Sequence, residues 1–244
     1  MGELNQVLGV YSKNITDHTG TGATMQKAEH KTYYYVTRSD VDEYHVQPLN
    51  NQNVPSGLVT SLTKKQFISS YSPEIDYYER KTLPALKSLK AKIDKGEADF
   101  SDGELDKAEK AFAKALLLDP ENPKANLGMG SVQCSKQNFD KLASIVKKLL
   151  NNDEVFIEEQ RQEFNLFAIS LRKQALFDDA INFYSKAIEI NGEDENLHFN
   201  IARAYFDAGE NSDALVHIDK ALKIAPNLEW AIKFKKYIMK KAKK

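Results

Sequence analysis

The side chains that most often carry chemistry are sparse in this sequence of 244 residues. Histidine and cysteine are the usual protein ligands of zinc, and they are also common catalytic bases and nucleophiles. The five histidines stand at positions 18, 30, 45, 198 and 217, without the HExxH spacing of a zinc site, and Cys134 is the one cysteine. The sequence therefore predicts no metal site and no nucleophilic cysteine.

Motifs that bind phosphates or build acyl-transfer sites are also missing. Gly20 and Gly22 form a GxG pair, but the third glycine of a dinucleotide-binding loop is missing, and the sequence predicts no strand before the pair. Neither GxxxxGK[ST] nor the GxSxG nucleophile elbow occurs in the chain. We therefore expect no cofactor and predict that the protein is not an enzyme.

The composition excludes several further classes. Lys and Arg total 34 against 35 Asp and Glu, and this net charge of −1 argues against a nucleic-acid binder that neutralises phosphates. No run approaches the 18 or so apolar residues of a membrane span, so we expect no integral membrane insertion. A single cysteine and an N-terminus without a basic region followed by an apolar stretch predict a cytoplasmic location.

Charged and aromatic residues divide the chain into differently built regions. Residues 229–244 hold 7 basic and 1 acidic side chains, whereas the rest of the chain is mildly acidic. Of the 11 tyrosines, 8 lie at or before position 78, whereas 11 of the 12 phenylalanines lie at or after position 100. Apolar residues have helical spacing after position 82 and strand-like runs before it, so we predict a β-rich part followed by a longer helical part.

A repeat of 34 residues organises the helical part. Ala180, Tyr184 and Ala187 recur 34 positions later as Ala214, Ile218 and Ala221, with small residues where two helices approach closely. This pattern resembles the tetratricopeptide repeat, in which small and large positions alternate over a helical hairpin. The resemblance is best at 195–228, where Ala202, Tyr205, Gly209 and Pro226 are also in register. It implies a mainly α fold, a solenoid of four hairpins at residues 89–122, 123–156, 161–194 and 195–228.

Such a solenoid needs caps at its two ends because a terminal hairpin cannot bury its outer face. Ser72-Pro73-Glu74 has the residue types of a helix start, so the predicted repeat domain spans 72–228 with a capping helix from about 73, kinked near Pro84. Residues 229–244 predict a basic capping helix at the other end. The alternative for this helix is a membrane-surface or calmodulin-binding segment.

The N-terminal part predicts a small β-rich module at residues 31–71, with strands at 32–38, 43–49 and 58–62 and a capping box at Thr63 and Gln66. Its tyrosines, Tyr33, Tyr34, Tyr35 and Tyr44, would pack one face of the sheet and offer a recognition patch on the other. A base-stacking platform is the alternative, which the acidic charge of this region disfavours. Residues 1–30 are predicted to be a flexible tail, although Leu4, Val7, Leu8 and Tyr11 have the spacing of a helical docking peptide.

In proteins of the family that the sequence resembles, the first helices of successive repeats line a concave groove that binds a partner segment. The resemblance places these candidate partner-binding residues in the groove: Lys124, Ser131, Asn165, Arg172, Phe199, Asn200, Arg203 and Phe206. Asparagine can bond a partner main chain, and arginine can bind a carboxylate with two parallel bonds. The alternative is that the asparagines tie helices together and that Arg203 pairs with Asp207.

These observations predict a non-catalytic scaffold or adaptor that binds a protein or peptide segment. Chaperone-binding members of the family hold an acidic C-terminus with Lys and Asn in the first groove, but Ile93 and Glu97 stand there in this chain, so such tails are not the expected ligand. Two alternatives remain open. The N-terminal module could carry an activity such as prolyl isomerisation, or the chain could assemble into a homo-oligomer through its repeats.

Overall fold

A computed structural model describes residues 6–19 and 26–241, and the chain divides into two units. The first unit is Met1–Lys92 with Leu117–Pro120, and the second is Ile93–Leu116 with Glu121–Lys244. The first unit holds a sheet of five antiparallel strands in the order β4-β3-β2-β1-β5. Its strands are β1 (Gln6–Thr19), β2 (Gln26–Arg38), β3 (Glu43–Pro48), β4 (Thr60–Thr63) and β5 (Ser72–Pro73).

The prediction of a flexible tail over residues 1–30 was wrong for the part that the structure describes. β1 pairs with β2 from Gln6 opposite Arg38 to Thr19 opposite Gln26, so main-chain hydrogen bonds order this polar segment. Val7, Leu8 and Tyr11 accordingly lie in a strand and not in a docking helix, while Leu4 lies outside the described residues.

Both faces of the sheet carry packed tyrosines. On one face Phe67 of helix α1 (Lys64–Ser70) stacks on Tyr44, with ring centroids 4.5 Å apart, and Tyr34 and Tyr11 border the same cluster. On the other face the ring of Tyr33 stacks on the ring of Tyr77, with centroids 3.9 Å apart. The Tyr77 hydroxyl donates a hydrogen bond to Asn53 Oδ1. The expected recognition patch of exposed tyrosines is therefore not formed. The capping box of α1 is present, with Thr63 and Gln66 bonding each other's backbone N–H groups.

The helix predicted from about residue 73 begins slightly later and is irregular. Ser72 and Pro73 form β5, and α2 (Ile75–Tyr77) leads into a π-helical turn, Tyr78–Thr82, before α3 (Leu83–Ser101). A proline ring clashes with the carbonyl four residues before it. The π-helical turn lies just ahead of Pro84, where the sequence predicts a kink, and prolines and π-helical turns are both common causes of helix kinks.

Helical hairpins make up the second unit, which confirms the predicted solenoid. After α3, the helices are α4 (Leu105–Leu118), α5 (Pro123–Ser135), α6 (Phe139–Leu150), α7 (Arg161–Lys173), α8 (Phe177–Ile190), α9 (Glu195–Ala208), α10 (Asn211–Ile224) and α11 (Glu229–Lys241). Two 3₁₀ turns, Asp153–Val155 and Glu158–Gln160, precede α7. α7 therefore begins at Arg161. Phe156, which lies between the two turns, is fully buried.

The alternation of small and large residues fills the interior of the solenoid. Ala168, Ala180, Ala202 and Ala214 are all fully buried, because neighbouring helices approach too closely there for a longer side chain. The predicted cap is also present. Ala231 and Ile238 of α11 are fully buried with Ile218 in the core of the last hairpin.

Candidate functional site

The first helices of the second, third and fourth hairpins form one layer, because α7 packs against both α5 and α9. A cleft of about 430 Å³ opens on this layer between α5, α7 and the end of α3. We call it the α5–α7 cleft. Its lining residues are Glu97, Phe100, Ser101, Phe112, Lys124, Leu127, Gly128, Ser131, Gln162, Glu163, Leu166, Ile169, Ser170 and Lys173.

The floor of the α5–α7 cleft is apolar. Phe112 and Leu127 are buried beneath it, and Leu166 on its wall leaves 55% of its surface exposed. Exposed leucine beside an apolar floor costs free energy in water, and a partner's apolar side chain would recover that cost by covering it. The cleft therefore has the composition of a binding site for an apolar side chain.

The rim of the same cleft is charged. Lys124 Nζ lies 2.7 Å from Glu163 Oε1, which joins α5 to α7. The hydrogen bond that Lys124 donates to Glu163 raises the pKa of Lys124. The charges of Glu163, Glu97 and Asp94 raise this pKa further, and burial opposes them. Two of the predicted residues, Lys124 and Ser131, thus meet in one cleft. The ammonium group of Lys124 is already paired with Glu163 in this cleft.

The two predicted asparagines bond to each other. Asn200 Nδ2 on α9 donates to Asn165 Oδ1 on α7 at 2.9 Å, and the buried Tyr184 hydroxyl of α8 donates to the same oxygen at 3.1 Å. Burial raises the pKa of Tyr184, so its hydroxyl stays protonated and available as a donor. Asn165 therefore joins three helices, as in the alternative in which the asparagines tie helices together. Binding of a partner main chain by these residues stays a prediction.

The two predicted arginines have different surroundings. Arg172 of α7 forms an ion pair with Asp207 of α9, so Asp207 is engaged by the neighbouring repeat. Arg203 lies over the ring of Phe199, 5.8 Å from its centroid. Burial lowers the pKa of Arg203, and the charge of Arg172 lowers it further. That Arg172 and Arg203 bind a carboxylate of a partner protein stays a prediction.

The two predicted phenylalanines contact the capping helix. Phe199 packs edge-on against Trp230 at 4.0 Å between centroids, and Phe206 packs against Phe234 at 5.3 Å and Tyr237 at 5.5 Å. A partner that reached these rings would share them with α11. These contacts are not predictable from the sequence, because the repeat pattern does not specify the direction in which the capping helix packs on the last hairpin.

Several lining residues of the α5–α7 cleft are not predicted by helical spacing, among them Phe100, Leu166 and Lys173. Leu166 follows Asn165 directly, so helical spacing from Asn165 to Ile169 and Arg172 passes over it. Cys134 is buried, and burial raises the pKa of its thiol to about 11, which leaves almost no thiolate at neutral pH. In the described ranges no three His, Cys, Asp or Glu side chains come together as a metal site, and no helix has the length and apolarity of a membrane span.

Comparison with known proteins finds a family for the repeats. The model of the tetratricopeptide repeat matches residues 89–122 and, in a second match, residues 171–232. No curated protein matches the chain.

Several solved structures are similar. MamA from Desulfovibrio magneticus RS-1 has 11% identity and a TM-score of 0.47, over 64% of this chain and 86% of that one. PilF of Pseudomonas aeruginosa has 17% identity and a TM-score of 0.48, over 64% and 70%. YrrB, described as a TPR protein with an unusual peptide-binding site, has 21% identity and a TM-score of 0.31, over 59% and 90%. The two family matches and the stacked hairpins together show that the chain carries tetratricopeptide repeats.

Proposed function

We propose that this protein is a non-catalytic scaffold whose α5–α7 cleft binds an apolar side chain of an extended or helical segment from a partner protein. Repeat solenoids use extended surfaces to bind other proteins, and each repeat contributes to such a surface. One observation carries the location: Leu166 stands more than half exposed above the apolar floor formed by Phe112 and Leu127.

The charges at the rim support a partner segment with polar groups beside its apolar anchor. Lys124 and Glu163 form a pair that holds α5 and α7 at the mouth of the cleft, and Ser131 and Ser170 offer hydroxyl groups there. A binding site of this kind takes its affinity from the covered apolar surface and its orientation from a few polar contacts. Further along the layer, the Asn165–Asn200 hydrogen bond and the Arg172–Asp207 ion pair join α7 to α9.

A pair of matched substitutions tests the proposal. Peptides are first selected from a displayed random library on the full chain, and their affinities are measured by fluorescence anisotropy. Leu166→Glu places a charge where the anchor would bind and should weaken binding about tenfold or more, since covering a leucine is worth about 1.5–3 kcal/mol. The control is Val216→Glu on α10, because Val216 is 52% exposed, almost the same as Leu166.

The Val216→Glu variant should bind the selected peptide with the affinity of the wild type. Equal affinity of the Leu166→Glu variant and the wild type would remove the α5–α7 cleft from the account. A selection that returns no peptide for the folded chain would count against the proposal as a whole.

A further inference from the structure

The outward side of the capping helix combines positive charge with exposed aromatic rings. α11 spans 13 residues, which corresponds to about 20 Å of helix. With Ala231 and Ile238 buried at a helical spacing of seven, the opposite side of α11 faces solvent. Glu229 and Met239 are exposed on α11 as well. The exposed basic and aromatic residues on that side and along its edge toward α9 are Trp230, Lys233, Lys236, Tyr237, Lys240 and Lys241. We call this set the basic stripe.

We propose that the basic stripe binds the surface of a membrane that contains anionic phospholipids. This inference is independent of the α5–α7 cleft. It rests on the placement of the charges and the rings in the folded chain. The lysines lie on the side of α11 that the last hairpin leaves uncovered, and Trp230 and Tyr237 stay partly exposed at its edge, where they pack against α9.

The lysines of the stripe supply the attraction. Glu229 engages Lys233 at 3.1 Å, while Lys236 and Lys240 are exposed one turn apart. Lys241 lies 4.8 Å from the centroid of Phe206, at the edge of the stripe. Each lysine near an anionic leaflet adds to the attraction, so several lysines on one helix face give reversible surface binding.

The aromatic residues favour a lipid surface over an acidic protein segment. Trp230 is 38% exposed and Tyr237 is 53% exposed, and both residue types are enriched at the boundary between lipid headgroups and hydrocarbon. Every basic residue of α11 is a lysine, whose ammonium is a hydrated point charge. Specific recognition of protein carboxylates more often uses the planar fork of arginine.

The chain provides its own reporter for the experiment, because Trp230 is its only tryptophan. The full chain is mixed with vesicles of phosphatidylcholine alone, or with vesicles that also contain phosphatidylserine, and binding is followed by sedimentation and by Trp230 emission. We expect binding to the phosphatidylserine vesicles only, with quenching of Trp230 by brominated lipid. We also expect loss of binding toward about 1 M salt, where the Debye length falls to about 3 Å.

Two charge-matched variants locate the binding surface. Lys236→Glu with Lys240→Glu should weaken vesicle binding at least about tenfold, since two attractive charges become repulsive. Lys64→Glu with Lys65→Glu makes the same charge change at exposed positions of α1 and should leave binding nearly unchanged. If the first variant loses its circular dichroism, Lys236→Gln with Lys240→Gln removes the charges without reversing them.

Several outcomes would overturn the proposal. One is equal binding to neutral and phosphatidylserine vesicles, and another is no binding to the phosphatidylserine vesicles. Unchanged vesicle binding by both stripe variants, or an equal loss of binding in the Lys64→Glu, Lys65→Glu variant, would do the same. A Trp230 response to polyglutamate in solution, without quenching by brominated lipid, would assign the basic stripe to an acidic protein segment instead.

Discussion

The ring of Phe112 lies directly against the backbone of Gly128 under the α5–α7 cleft. A Cβ added at residue 128 would stand 2.3 Å from Phe112 Cζ, far inside van der Waals contact. Gly96 of α3 borders the same ring, where an added Cβ would lie 2.7 Å from Cε1. The floor of the cleft is therefore shaped by two glycines that let helices approach one aromatic ring.

Gly128→Ala should destabilise the chain despite the better helix propensity of alanine. Overpacking a filled core costs about 1–3 kcal/mol, whereas the propensity gain in a helix is at most about 1 kcal/mol. Urea unfolding followed by circular dichroism measures the difference. Gly192→Ala is the control, because its Cβ would meet only Ile188 O at 3.4 Å.

A second substitution separates crowding from other causes. Phe112→Leu removes part of the ring that Gly128 contacts, so the cost of Gly128→Ala should shrink in the Phe112→Leu background. Additive free energies of unfolding in this double-mutant cycle would contradict the packing explanation.

Asn165→Ala should cost more stability than Asn200→Ala. Removing Asn165 leaves the buried Tyr184 hydroxyl without the acceptor it now uses, and an unsatisfied buried donor costs about 1–3 kcal/mol. Removing Asn200 takes away one of two donors and leaves Asn165 bonded to Tyr184. Denaturant midpoints of the two variants check the order, and Tyr184→Phe should abolish most of the extra cost of Asn165→Ala.

The stability of the last hairpin should decrease as the pH falls from 7 toward 4. His198 Nδ1 and His217 Nδ1 lie 3.0 Å apart, an arrangement in which one ring donates and the other accepts. Burial lowers the pKa of His198, and burial, followed by the charges of His198 and Lys220, lowers the pKa of His217 to about 4. Below pH 6.5 the unfolded chain therefore binds protons that the folded chain does not, so the free energy of unfolding falls.

Thermal melts at pH 7 and pH 5 test this dependence. His217→Phe keeps a ring beside Tyr205, which stacks on His217 at 5.5 Å, and removes the group with the strongest shift. This variant should lose less stability between the two pH values than the wild type. An equal loss in both proteins would show that other groups cause the acid sensitivity.

The helical part of this fold is predictable from the sequence because its information is local. Each repeat carries its own small and large residues, and Ala180 and Ala214 are buried as the spacing predicts. The second half of β1, residues 12–19, is different. Its polar residues become a strand through pairing with β2, and a long hairpin is stabilised by a partner strand that local composition does not reveal.

The candidate site was predictable only in part for the same reason. Helical spacing places Lys124 and Ser131 on one side of α5, and both line the cleft. The spacing cannot show that Asn165 accepts from Asn200 and Tyr184, or that Asp207 pairs with Arg172, because each contact joins two different helices. Those pairings depend on the angle at which successive hairpins stack.

The most direct test of the central claim is the location of a bound peptide. Nuclear magnetic resonance of the isotopically labelled full chain, titrated with a peptide selected as described above, reports which amide signals move. The account predicts that the largest changes lie around the α5–α7 cleft, at Ser131, Leu166 and Ser170. Changes centred on α10 or on the β-sheet unit, with those three signals unmoved, would contradict it.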